Sequence, residues 1–150
     1  MVRLQVQNIK GVTNAINKYG KDAVKEIGGK TELVADEIVN KAKSLAPTNK
    51  KKHGGDLHQS IRREKLTSQL HQRVVTYNKY APYQEFGTGG LVNINEGWGE
   101  MARQFIGRGI KQVNIPPQPF MYPAFVFGRS LFAKEIKDSL KELNKRFNNG

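Results

Sequence analysis

"YAPYQEFGTGG", residues 80–90, sets three aromatic rings, one proline and three glycines around a single acid, Glu85. Pro82 is suited to begin a short helical turn and Gly87 to end it, which places Tyr83 and Phe86 on one side, three residues apart. Glu85 then reads in two ways. Against two rings it has the setting of a general acid; at a structural corner it accepts backbone or arginine hydrogen bonds. The segment permits both, so its neighbours have to decide.

Upstream, "LHQSIRREKL" (57–66) and "LHQRVVTY" (70–77) predict two antiparallel strands joined around Thr67, Ser68 and Gln69, with Val74, Val75 and Thr76 favouring extended backbone. Before them "PTNKKKHGG" (47–55) reads as an exposed flexible loop: three adjacent lysines repel one another and two glycines loosen the backbone. Further back, Val12, Ile16, Tyr19, Ala23, Ile27, Val34, Ile38, Ala42 and Leu45 recur in helical phase after Gly11, and Pro47 sets the far limit. Gly28-Gly29 interrupts this run, so one bent helix or two nearly collinear helices are expected. At the start, "VRLQVQ" (2–7) alternates Val2, Leu4 and Val6 with polar residues, the period of a half-buried strand suited to a sheet edge.

Downstream, residues 91–114 are expected as a variable insertion with a short helix around Glu100 to Phe105. Pro116, Pro117, Pro119 and Pro123 then stiffen the approach to a last helix. Its buried face is predicted as Phe125, Phe132, Ile136, Leu140, Leu143 and Phe147, with Lys134, Lys137, Asp138, Lys141 and Glu142 on the wet side. The fold class is therefore α+β: a small antiparallel sheet packed against a long N-terminal helix and a C-terminal helix, in one domain over residues 1–150.

The chain has 150 residues and a formal charge of +12, a surplus that favours nucleic acid or an acidic protein face without choosing between them. The densest basic stretch runs from Lys41 to Lys65. Its Lys50, Lys51, Lys52, Arg62 and Arg63 are candidate contacts to DNA or an acidic partner. No cysteine occurs, which rules out disulfide and thiolate chemistry. No apolar run has the length of a signal peptide or a membrane span, so no membrane contact is expected.

Enzymatic readings find little support. A nuclease would recruit Asp56, Glu85, His58 and His71, but these form no compact acidic set, and with His53 the histidines lack zinc spacing. Ser60 and Ser130 have no nucleophile motif; Ser130 is expected to make a local helical hydrogen bond. "GTGGLVN" and "GRGIK" lack phosphate-loop spacing. Tyr77, Tyr80 and Tyr83 near Arg73 and Lys79 offer stacking surfaces, but no known single-strand-binding pattern accompanies them. No catalytic residue, metal site or cofactor is expected, and the corner reading of Glu85 is favoured.

Four pieces in order carry a family resemblance: "ADEIVNKAKSLAP" (35–47), "GGDLHQSI" (54–61), "YAPYQEFGTGG" (80–90) and "IPPQPFMYPAF" (115–125). Together they resemble the tail-component family of long-tailed bacteriophages, whose members act as tail-completion or head–tail joining proteins. The loop "PTNKKKHGGD" departs from that family in its length and basic charge, and the double glycine is also unusual for it. The resemblance implies a noncatalytic virion protein, assembling as a homo-oligomeric ring, a hexamer, at the head-proximal tail end. Its implied partners are neck or connector proteins and tail-tube or tail-terminator proteins, with nonspecific contact to passing DNA. It implies assembly in the host cytoplasm and residence at the head–tail interface. Tyr80, Pro82, Tyr83, Glu85, Phe86, Gly87, Pro119, Phe120 and Pro123 are then expected to form a structural corner or interface. The alternatives are a small basic DNA-binding protein and, third, a phage nuclease or hydrolase.

Overall fold

A computed structural model of the chain describes residues 9–48, 56–92, 97–106 and 114–148. The expected strand at 2–7 and the lysines at 50–52 lie outside the described residues. The order is α1 (Ile9–Leu45), α2 (Asp56–Ser60), β1 (Ile61–Lys65), β2 (Gln72–Thr76), α3 (Ala81–Phe86), a 3-10 turn (Gly89–Leu91), α4 (Gly99–Arg103) and α5 (Met121–Asn148). The predicted α+β arrangement is the one observed.

Helix α1 runs unbroken for 37 residues, about 55 Å at the standard rise. Gly11 lies inside it rather than before it, and Gly28-Gly29 does not interrupt it. The hairpin turn explains Gly28: a Cβ there would stand 3.0 Å from the Gln69 Cβ, so the turn approaches the helix where a side chain is missing. Gly29 faces open space. The last turn closes with Ala46 N–H donating to the Ala42 carbonyl at 2.9 Å, just before Pro47.

Strands β1 and β2 pair antiparallel from Ile61 opposite Thr76 to Lys65 opposite Gln72. Strand formation begins later than expected, because Leu57 to Ser60 are helical. That turn points Leu57 into the core and lets Ser60 Oγ donate to the Leu57 carbonyl at 2.6 Å. Leu57, Ile61, Ala81, Phe120 and Ala124 form the core with Val39, Ala42 and Ala46 of α1. Arg63 fastens the hairpin to α1: its Nε donates to Asp36 at 2.7 Å and its Nη1 pairs with Glu32 at 2.7 Å.

Helix α5 lies antiparallel along α1. Tyr19 Oη donates to Asn144 Oδ1 at 2.8 Å, Lys30 Nζ meets Glu135 Oε2 at 2.8 Å, and Gly128 rests on Ile38. The predicted buried face of α5 needs correction. Leu143 is buried as expected, but Phe125 is 51% and Phe132 37% exposed, and Ala124, Gly128 and Ser139 take buried positions instead. The helices approach so closely at Gly128 that small residues take the contact line and the large rings flank it. The α1 stripe is also only partly covered: Val12 is 58% and Ile16 65% exposed, because α5 ends beside Tyr19, where Phe147 packs edge-on at 4.9 Å.

Ser139 Oγ is buried and has no hydrogen-bond partner among the described residues. Ser139→Ala is expected to leave stability unchanged or raise it by up to about 1 kcal/mol, since it removes an unmatched polar atom and improves helix propensity. Urea unfolding checks this.

The ion pairs set an acid limit. Lys30 holds the Glu135 carboxyl below its usual value by a hydrogen bond, and Arg73, then the Tyr77 hydroxyl, do the same for Glu64. Because these folded-state values are depressed, the stability they carry is in place above the ordinary carboxylate value of about 4.3 and is lost as pH falls through the lowered values. Lys30 and Arg73 are raised by the same partners, so their share is lost only in strong alkali. The urea midpoint should therefore fall between pH 7 and pH 3, and fall less in the double variant Glu64→Gln, Glu135→Gln.

Candidate functional site

The segment around Glu85 meets the proline-rich approach to α5 along a continuous seam. Gln118 N–H donates to the Gln84 carbonyl at 2.7 Å, and Thr88 N–H to the Ile115 carbonyl at 3.0 Å. Ile115 N–H donates to Thr88 Oγ1 at 2.9 Å, and Gly90 N–H to Asn114 Oδ1 at 3.1 Å. Gly87 makes the seam possible. Its φ is 77°, and a Cβ there would stand 2.8 Å from the Ile115 carbonyl oxygen. Both the left-handed backbone and the close approach call for glycine.

Glu85 is 5% exposed and sits over the first turn of α5. Its Oε2 accepts from Phe120 N–H and Met121 N–H, each at 2.8 Å, and its Oε1 accepts from Tyr122 N–H at 2.9 Å. The next residue, Pro123, has no N–H to satisfy. One carboxylate thus takes every free donor of the first turn, with its charge at the positive end of the helix dipole. Glu85 is the cap of α5, reaching across 35 residues of chain.

Rings brace the joint. Phe105 lies 5.4 Å from Tyr83 edge-on and 5.5 Å from Phe86 in a stacked arrangement, which puts both rings on one side of α3 as predicted. Trp98 bridges Phe86 at 6.0 Å and Tyr122 at 6.3 Å. Within the segment expected as an insertion, Ala102 is fully buried, so described residues 97–106 belong to the joint. Phe120 is fully buried, Tyr80 is exposed, and Pro82 opens α3.

The remaining candidates are scattered. Arg63 is engaged by α1, whereas Arg62 lies on the outer face of the sheet, 4.8 Å over the Tyr77 ring. Ser60 Oγ shares a 2.7 Å hydrogen bond with Thr76 Oγ1, and Ser130 Oγ donates to the Phe127 carbonyl at 2.7 Å, the local bond expected of it. Among the described residues no group of three or more His, Asp or Glu is placed to hold a metal ion. His53 lies outside the described residues. Sequence reading missed Trp98 and Phe105 as parts of the joint; their bracketing by glycines was the only available signal.

Residues 10–87 match the model of a protein family described as "Bacteriophage HK97-gp10, putative tail-component". The chain belongs to this family. The matched range holds α1, the hairpin and α3 through Glu85 and Gly87, which is half of the joint; "IPPQPFMYPAF" lies beyond it. Membership in this family sets the chain among phage proteins described as "putative tail-component", and the three-donor engagement of Glu85 accounts for that acid as a helix cap. No curated protein and no solved structure gives a significant match to the chain.

Proposed function

We propose that this chain completes the phage tail at its head-proximal end and joins it to the neck, as a closed ring of identical subunits around a passage for DNA. The carrying observation is the tail-component match across α1, the hairpin and the Glu85 corner. Identical subunits close a ring through two different complementary faces, and α1, with its apolar stripe running past the end of α5, offers an uncovered face for such contact. A hexamer, neck or connector proteins on one side and tail-tube or tail-terminator proteins on the other are the partners that the family resemblance implies. The chain would meet them at the head–tail interface of the virion after assembly in the host cytoplasm.

Electron microscopy of purified protein, with and without neck and tail-tube components, tests this reading. Closed rings seated between neck and tube are expected. Tail-end particles with no density for the chain would count against it.

The basic surplus suits a second contact, to passing DNA or to an acidic neck protein, through Lys50, Lys51, Lys52 and Arg62, repeated around the ring as a positive rim. Replacing Lys50, Lys51 and Lys52 by glutamine is expected to weaken association with DNA or an acidic neck protein while shifting thermal stability little. A large loss of melting temperature would show that the loop is part of the folded core. Salt-sensitive duplex binding by an isolated monomer that never forms rings would instead favour a small DNA-binding protein.

A further inference from the structure

The sheet has only two strands among the described residues, and its β2 edge is open. Leu66 N–H donates to the His71 carbonyl at 3.2 Å, which fixes the alternation of the ladder and turns the backbone groups of Gln72, Val74 and Thr76 outward. No backbone or side-chain hydrogen bond from the described residues reaches those groups. Beside this edge runs an apolar groove of about 470 Å³ between β2, α1 and α5. Val34 and Ile38 of α1, Val74 of β2, Phe125 and Phe132 of α5, and Trp98 line it. A strand laid on the β2 edge would send alternate side chains into this groove and the rest onto the outer face, where Arg62, Glu64, Arg73 and Tyr77 form a polar lattice.

Residues 2–7, "VRLQVQ", have that alternation: Val2, Leu4 and Val6 for the groove, Arg3, Gln5 and Gln7 for the polar face. They cannot reach it in their own chain. Thr31, at the near end of the groove, lies 22 residues beyond Ile9 on an unbroken helix (31 − 9), about 33 Å away. Val6 and Val2 precede Ile9 by three and seven residues, so even a fully extended backbone carries them only about 11 and 25 Å. The α1 stretch they continue from projects past α5 with Val12 and Ile16 uncovered.

We propose that residues 2–7 of one copy add as a third strand to the β2 edge of a second copy, seating Val2, Leu4 and Val6 in its groove. The contact joins two different faces, as a ring requires. The inference rests on the assembly reading for what brings copies together, yet the contact itself can be measured on the isolated chain.

Trp98 is the single tryptophan of the sequence and lines the groove, so its emission reports occupancy. A synthetic peptide of residues 2–8 titrated into the full-length chain is expected to change Trp98 emission saturably, by filling open grooves or displacing strands already exchanged. Leu4→Asp in the peptide should weaken binding about tenfold or more, because a buried leucine is lost. Gln72→Pro removes an outward N–H without touching the backbone bonds of the β1–β2 ladder and should abolish the response. Gln72→Ala, which loses only the side-chain bonds to Arg63 and Gln69, should keep it. A silent titration, or equal binding of a peptide of scrambled order, overturns the strand exchange and leaves the tail role standing. Absence of the chain from tail particles, with peptide binding intact, strikes the tail role alone.

Discussion

Glu85→Ala is expected to destabilise the fold by about 3–5 kcal/mol, the largest effect of any single change to the joint. The substitution strips acceptors from three backbone N–H groups at once, and that of Phe120 is buried with its residue. Leaving buried donors unmatched costs about 1–3 kcal/mol each. Loss of charge at a helix N-terminus adds up to about 2 kcal/mol. Partial hydration of the two part-buried donors, Met121 and Tyr122, keeps the total below the sum. Glu85→Gln should lose less, since one oxygen still accepts, but its amide nitrogen would face a donor. Urea unfolding with both variants separates charge from shape. An alanine variant with an unchanged midpoint would remove the structural account of this acid.

Gly128→Val is expected to cost about 2–3 kcal/mol, the upper part of the range of about 1–3 kcal/mol usual for overfilling a packed contact. A Cβ at this position overlaps the Ile38 Cγ1 and Cδ1 atoms, so the helices would have to move apart or Ile38 leave its rotamer. The gain in helix propensity over glycine is only a few tenths of a kcal/mol for valine and does not offset this. Ile38→Ala should partly rescue Gly128→Val, because it vacates the volume the new side chain occupies. A double-mutant cycle measures that coupling, expected at about 1–2 kcal/mol. Strict additivity would mean that the two residues do not meet at the crossing.

The sequence reading located the hairpin by its β-branched run and its polar turn, both local in origin. It was wrong at Leu57 to Ser60, where a five-residue helix carries Leu57 into the core. A single turn that short is decided by what lies beneath it. The face of α5 shows the same limit. Periodicity assigned Phe125 and Phe132 to the inside because large apolar residues recur there, but a helix partner at close range selects small residues. Gly28 reads as a break in isolation and proves to be the place where a turn leans on a helix.

The α+β order, the long first helix, the aromatic turn ended by Gly87 and the proline corner were all determined by the sequence alone, since each depends on patterns among residues within a few positions of one another. That Glu85 closes the first turn of α5, that Trp98 and Phe105 brace it, and that an open strand edge borders an apolar groove were decided only in three dimensions. The reason is separation along the chain. A hydrogen bond between residues 85 and 120 leaves no periodic trace in either segment, and exists only once the core has brought the two together.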